Sequence, residues 1–198
     1  LETIFFLGRF HPLLVHLPIG FLILAILIEI YCSIFKIRIN QSIINFTWFI
    51  AFFSSVMTTT LGLLIAETGH YIDENLFMHK VFGLSLTAVS FVSWFFRLSF
   101  FSNLFSSSLK TVLNISILFL LTLTGHYGGN LTHGETYLVD YAPENIKELV
   151  VKKNKYVELE IDSVEIYNDL IQPIFNQKCV SCHNKEIFRG NLNMDSYS

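Results

Sequence analysis

The sequence predicts an all-α membrane protein: a four-helix transmembrane bundle made of two repeated hairpins, with a water-soluble segment after it. Three observations predict this class. Four long apolar runs fill the first two thirds of the chain, the tetrapeptide T-G-H-Y occurs at the end of two of them, and charges are sparse before Gly134 but dense after it. More than half of the 198 residues are apolar, 20 of them Phe. The chain divides accordingly into a membrane domain at 1–134, a tether at 135–163 and a final segment at 164–198. A net charge of −3 gives no basis for nucleic-acid binding.

A transmembrane helix needs about 20 mostly apolar residues. The runs that meet or approach this are residues 12–35, 43–66, 79–101 and 109–125. The fourth is the shortest, and is expected to stand nearly upright or in thinner membrane. A soluble bundle would keep a polar face on each helix, and these runs barely have one. No basic stretch and cleavage site precede the first run, so it reads as a span rather than a signal peptide. Leu1 is not an initiating residue, so the natural N-terminus is expected to have been cut or to lie further upstream.

Loop charges predict the orientation. Lys36 and Arg38 lie between the first two runs, and Arg97 and Lys110 flank the loop between the last two. The intervening connection carries Asp73 and Glu74. Basic loops face the cytoplasm, so both chain ends are expected outside. The expected location is a bacterial inner membrane, with the final segment in the periplasm.

Six histidines then fall at one depth. His11 and His16 open the first span, His70 closes the second, His79 opens the third, and His126 and His133 close or follow the fourth. With alternating spans, all six sit on the outer side. His16 and His79 each begin H-x-x-x-G, and T-G-H-Y recurs at residues 68–71 and 124–127. Each hairpin thus offers one histidine from each of its helices, with His11 and His133 as further candidate ligands outside the repeat. Neutral imidazole binds haem iron, copper or zinc, and nearby glycines let a flat macrocycle or a neighbouring helix approach closely. Three readings stand together: interfacial histidines bonded to backbone and water, a copper or zinc site, and one or two b-type haems on His16, His70, His79 and His126. Arg9 and Lys80 are candidate partners for haem propionates or interfacial anchors. Glu67 shares a helix face with His70 and is a candidate proton acceptor from a quinol, or a carboxylate reaching to water. Cys32 reads as a small buried apolar side chain.

The sharpest motif is Cys179-Val-Ser-Cys182-His183. C-x-x-C-H is the pattern of c-type haem attachment: two thiols reach the two vinyl groups of one haem, and the adjacent histidine reaches its iron. A redox C-x-x-C is the competing reading. Attachment takes place outside the membrane, in agreement with the loop charges. The final segment is therefore an outer-side c-type cytochrome segment. Its run-up, residues 164–178, has helical spacing interrupted by Pro173, and residues 156–161 alternate like a short strand. Met194 follows His183 too closely to fold over the distal face, so the distal ligand is expected beyond Ser198 or from a partner.

Two resemblances accompany these residues. F-H-P-L-L-V-H-L-P-I-G (residues 10–20) with G-H-Y-G-G-N-L-T-H-G (residues 125–134) resembles a poorly characterised family of bacterial four-helix membrane proteins. I-Q-P-I-F-N-Q-K-C-V-S-C-H-N (residues 171–184), followed by R-G-N-L-N-M-D-S, is similar to the start of a planctomycete-type cytochrome c domain. The second resemblance implies a c haem on Cys179, Cys182 and His183, with its usual distal methionine later than this chain reaches. The expectation is a membrane-anchored electron-transfer cytochrome. It would pass electrons between a histidine-held membrane haem, fed by a quinol, and haem c. Its partners would be membrane lipid and a redox protein or larger complex. The alternatives are an anchor carrying haem c alone, and a copper- or zinc-binding membrane protein.

Overall fold

The computed structural model describes residues 2–67, 73–98, 100, 105–134, 137–139, 141–150, 165–180, 183–185 and 189–195. Among these, every regular element is helical. The strand expected at 156–161 lies outside the described residues.

Four helical stretches are long and apolar enough to cross a membrane: Thr3–Phe35, Gln41–Ala66, Glu74–Phe95 and Ser107–His133. The first is assembled from α1 (Glu2–Gly8), α2 (His11–Leu14) and α3 (His16–Phe35). It therefore begins before residue 12, where the apolar run was expected to open. Its breaks have a local cause. Pro12 and Pro18 sit in the first turns of α2 and α3, where a missing N–H costs least. The stretch ends at Lys36, in the left-handed region with φ 53°, whose N–H returns to the Cys32 carbonyl.

The second span is α4 (Gln41–Ala66), started by Asn40, whose side chain accepts from the Ser42 N–H at 2.9 Å. The third, α5 (Asp73–Phe95), begins and ends six residues before the apolar run did. Glu74 is polar but favourable in a first turn, where a negative charge meets the positive end of the helix dipole. The fourth, α6 (Ser107–His133), corrects an expectation outright: it is 27 residues long, not the shortest. Gly125, Gly128 and Gly129 stay helical, since each glycine costs about 1 kcal/mol relative to alanine without forbidding the turn. Gly134, at φ +90°, ends the helix in a conformation only glycine adopts freely.

By internal packing the chain divides into two compact units, Leu1–Thr68 with Phe77–His126, and Gly69–Leu76 with Tyr127–Ser198. In the first unit, Leu22, Ala25, Ile26, Trp48, Ala51, Leu86 and Ile117 form the core. Small polar residues fill the close approaches around it. Ser54, Ser55 and Ser90 are buried and return their hydroxyls to carbonyls of their own helices at 2.7–2.9 Å. Large apolar residues such as Phe46, Phe53, Leu27 and Phe119 point outward. This inside-out distribution suits lipid as solvent. Gly8 brings α1 against α4 so closely that a Cβ there would lie 2.7 Å from the Ile65 backbone nitrogen.

In the second unit, α7 (Glu144–Val150) follows Pro143 within the stretch read as a tether. A π-helix, Ile166–Ile171, leads directly into α8 (Gln172–Lys178). Pro173 therefore opens a helix rather than ending one, because it falls in the first turn of α8.

Candidate functional site

Two of the six histidines singled out in the sequence come together. His11, at the start of α2, and His79, on α5, place their ring centroids 6.1 Å apart with planes inclined at 83°. Each ring is held the same way. His11 Nδ1 bonds to the Thr58 carbonyl of α4 at 2.9 Å, and His79 Nδ1 bonds to the Thr124 carbonyl of α6 at 3.0 Å. A carbonyl oxygen only accepts, so both Nδ1 atoms carry the hydrogen and both neutral rings keep a lone pair on Nε2. Both rings are partly buried.

The neighbours are small or hydroxylic. At Gly62, a Cβ would meet the His11 ring at 2.8 Å, so glycine there is a condition for the ring's position. Thr58 donates its hydroxyl to the Leu14 carbonyl at 3.2 Å, and Thr59 and Thr87 share a hydroxyl bond at 2.8 Å. The Thr124 hydroxyl is buried without a protein partner.

These contacts define a repeat register. His11 and His79 are 68 positions apart, and their carbonyl partners Thr58 and Thr124 are 66 apart. The sequence repeat had paired His16 with His79 and Thr68 with Thr124. By contact, the partners of His79 and Thr124 are His11 and Thr58.

The other candidates are placed as follows. His16 is exposed, and its Nδ1 turns back to the Leu13 carbonyl at 3.1 Å. His126 is exposed on α6, and His133 is exposed near the end of that helix, stacked on Tyr137 at 4.4 Å between centroids. Arg9 is exposed, Lys80 is half-buried, and Glu67 is exposed where it caps α4. His70 lies outside the described residues. Among the described residues no group of three or more His, Cys, Asp or Glu side chains is placed to hold a metal ion.

A second polar cluster was not anticipated as a unit. Glu29 on α3 pairs through Oε1 with Arg97 Nε, and its Oε2 accepts from Arg97 Nη2 at 2.8 Å. Trp48 Nε1 donates to Glu29 Oε1 at 3.0 Å, and Asn114 Nδ2 donates to Oε2 at 2.9 Å. Arg97 is 1% exposed, lies 4.0 Å over the Trp48 ring, and donates to Asn114 Oδ1 and the Ser93 carbonyl. The cluster thus joins the first, second and fourth spans to the turn that follows the third. Its spacings repeat those of the histidine pair: Glu29 and Arg97 are 68 apart, and Trp48 and Asn114 are 66 apart. The signal was present as four polar positions at two fixed separations, but it is visible only when the two hairpins are aligned on His11.

In the second unit, Cys179 caps α8, and the His183 N–H donates to the Cys179 carbonyl at 3.0 Å, one turn on. Cys182 lies outside the described residues. Gly190 and Asn191, both left-handed with φ +65° and 59°, reverse the chain, and the Met194 N–H reaches the His183 carbonyl at 2.8 Å. Gln172 Nε2 closes this loop onto α8 by donating to the carbonyls of Met194 and Asp195, each at 3.1 Å.

Residues 9–139 match the model of a family described as a predicted membrane protein, DUF2231. No curated protein and no solved structure matches the chain.

Proposed function

Since the chain belongs to the DUF2231 family of membrane proteins, a description that names no chemistry, we propose from its own residues that it is a membrane-anchored electron-transfer cytochrome. One observation carries this reading. A single chain joins C-x-x-C-H at 179–183 to a four-span bundle in which His11 and His79 meet at 6.1 Å with both Nε2 lone pairs free for a ligand.

The residues fit both groups. Cys179 and Cys182 would hold a c haem by thioether bonds, and His183, one turn after Cys179, would ligate its iron. The bundle supplies neutral imidazoles for a second, non-covalent haem. Haem, when bound, supplies a one-electron iron couple. The helices half-bury the membrane site and fix its imidazole tautomers. Arg9 and Lys80 are the cations available to propionates at that face. A quinol is the reductant suited to this depth, with Glu67 receiving one of its two protons, water at the same face the other, and a redox protein or larger complex accepting its two electrons one at a time.

Orientation follows from Lys36, Arg38 and Lys110, with Arg97 matched by Glu29. It puts the histidines and both termini on the periplasmic side of a bacterial inner membrane.

The test is an optical and pyridine haemochrome spectrum of the full-length protein purified in detergent. Covalent haem c together with acid-extractable haem b is the expected result. Haem c alone would reduce the bundle to an anchor. Stoichiometric copper or zinc without haem b would make it a metal-handling protein. Loss of both haems would overturn the reading.

A further inference from the structure

The duplication is written twice into the bundle. Positions 11 and 79 meet in one layer and positions 29 and 97 in another, each pair 68 apart, with His11 and Glu29 on the first span, His79 on the third and Arg97 two residues after its end. In one layer the paired residues are identical, and in the other they carry opposite charge. A contact between equivalent positions of two repeats lies on the axis that relates them. The acidic–basic layer satisfies itself, since carboxylate, guanidinium, indole and amide are all mutually bonded. The histidine layer does not.

There, each Nδ1–H is committed to a backbone carbonyl. The two Nε2 atoms are both acceptors, so they cannot bond to one another. Both Nε2 lone pairs are thus left to a ligand or a hydrogen-bond donor. A tetrahedral zinc or copper site takes three or four protein ligands, and the contact shown here is between two imidazoles. An iron whose four equatorial positions are filled by a macrocycle takes only two protein ligands, on opposite sides. With nitrogen–metal bonds of about 2.0–2.1 Å, such ligands set ring centres about 6 Å apart, against 6.1 Å here.

We propose that His11 and His79 are the two axial ligands, through Nε2, of a single b-type haem on the axis of the duplicated hairpins, and that His16 and His126 lie outside its coordination. This rests on the membrane-haem half of the function proposed above and makes it specific: one haem rather than two, and a ligand set that includes His11. Gly62 is a positioning residue, because a side chain there displaces the His11 ring. Gly128, 66 positions later, is its counterpart in the second repeat.

The experiment uses the full chain in detergent and reads extractable haem b per covalent haem c, with low-temperature EPR of the oxidised protein. The wild type is expected to give one b per c and a low-spin signal of the strongly axial kind produced by near-perpendicular imidazole planes. His11→Gly and His79→Gly should each lose haem b with haem c unchanged, and added imidazole should restore the low-spin spectrum. Gly62→Leu should also lose haem b. His16→Ala and His126→Ala should each retain it. Retention of haem b in His11→Gly and His79→Gly, or two b haems per c, overturns the assignment while leaving the proposed function standing. A wild type with haem c but no haem b overturns both. Recovery of low-spin haem by imidazole separates a missing ligand from a misfolded bundle.

Discussion

Glu29 on the first span and Arg97, two residues after the third, form a two-pronged ion pair, with the Trp48 ring under the guanidinium. Arg97 is buried, so neither charge can be left alone without cost. Removing one partner of a buried pair costs about 3–5 kcal/mol, whereas replacing both by neutral groups of similar volume is often nearly neutral. Arg97→Ala is therefore expected to lower the unfolding temperature sharply in detergent. The double variant Glu29→Gln with Arg97→Met should recover most of the loss. Arg97→Lys should recover little, since an ammonium cannot reproduce the fork or the stacking on Trp48. Additive losses in the double variant would deny the coupling.

Two glycines of the bundle should respond in opposite directions. Gly125 sits inside α6, and a Cβ added there would meet nothing within 4 Å. Gly125→Ala should stabilise the protein by about 0.5–1 kcal/mol, the helix preference of alanine over glycine. At Gly62 an added Cβ would meet the His11 ring at 2.8 Å. Gly62→Ala must push that ring away and is expected to destabilise, despite the same helix preference. Thermal unfolding of both variants in one detergent checks the sign of each.

Much of the architecture was legible in the residues. Four apolar runs became four spans because lipid demands long uninterrupted apolar helices. The limits were less legible, because apolarity does not mark where a helix stops. Asp73 and Glu74 look like loop residues yet lie in the first turn of α5, and the glycines of residues 125–129 look like a break yet continue α6. The histidines were legible as a layer but not as a pair. T-G-H-Y is the longest repeated word, and it drew the register toward His16 and Thr68, whereas the contacts rest on His11 with Thr58. The carbonyl partners could not be read at all, because a backbone acceptor leaves no trace in residue identity. Glu29 was visible as an acidic residue within an apolar run. Its role depends on Arg97, which loop-charge counting had assigned to orientation alone.

The attachment motif makes a prediction independent of the membrane site. Cys179 ends α8, and its carbonyl accepts from the His183 N–H at 3.0 Å. Replacing both thiols, Cys179→Ser with Cys182→Ser, should abolish haem staining on a denaturing gel, because no covalent link remains. The bundle should stay folded, since none of its contacts within the first unit depends on those residues. Persistent staining of the double variant would mean that covalent haem is attached elsewhere.

Met194 is the methionine that follows the motif, and its main-chain bonds argue against a distal role for it in the proposed haem c site. Its N–H donates to the carbonyl of His183, the residue that would ligate the iron from the proximal side. The reversal that brings it there uses two successive left-handed residues, Gly190 and Asn191. Gln172 then fixes the same loop to α8 through the Met194 and Asp195 carbonyls. Crossing to the opposite face of a macrocycle held by His183 would require these main-chain bonds to break. Met194→Leu is therefore expected to leave the haem c absorption spectrum unchanged, including any sulfur-to-iron charge-transfer band. Gly190→Ala should act differently. An alanine held left-handed costs about 1–2 kcal/mol, so the turn should loosen and hydrogen exchange at the Met194 amide should accelerate. A charge-transfer band that disappears in Met194→Leu would show that its sulfur, rather than its amide, is what the segment uses.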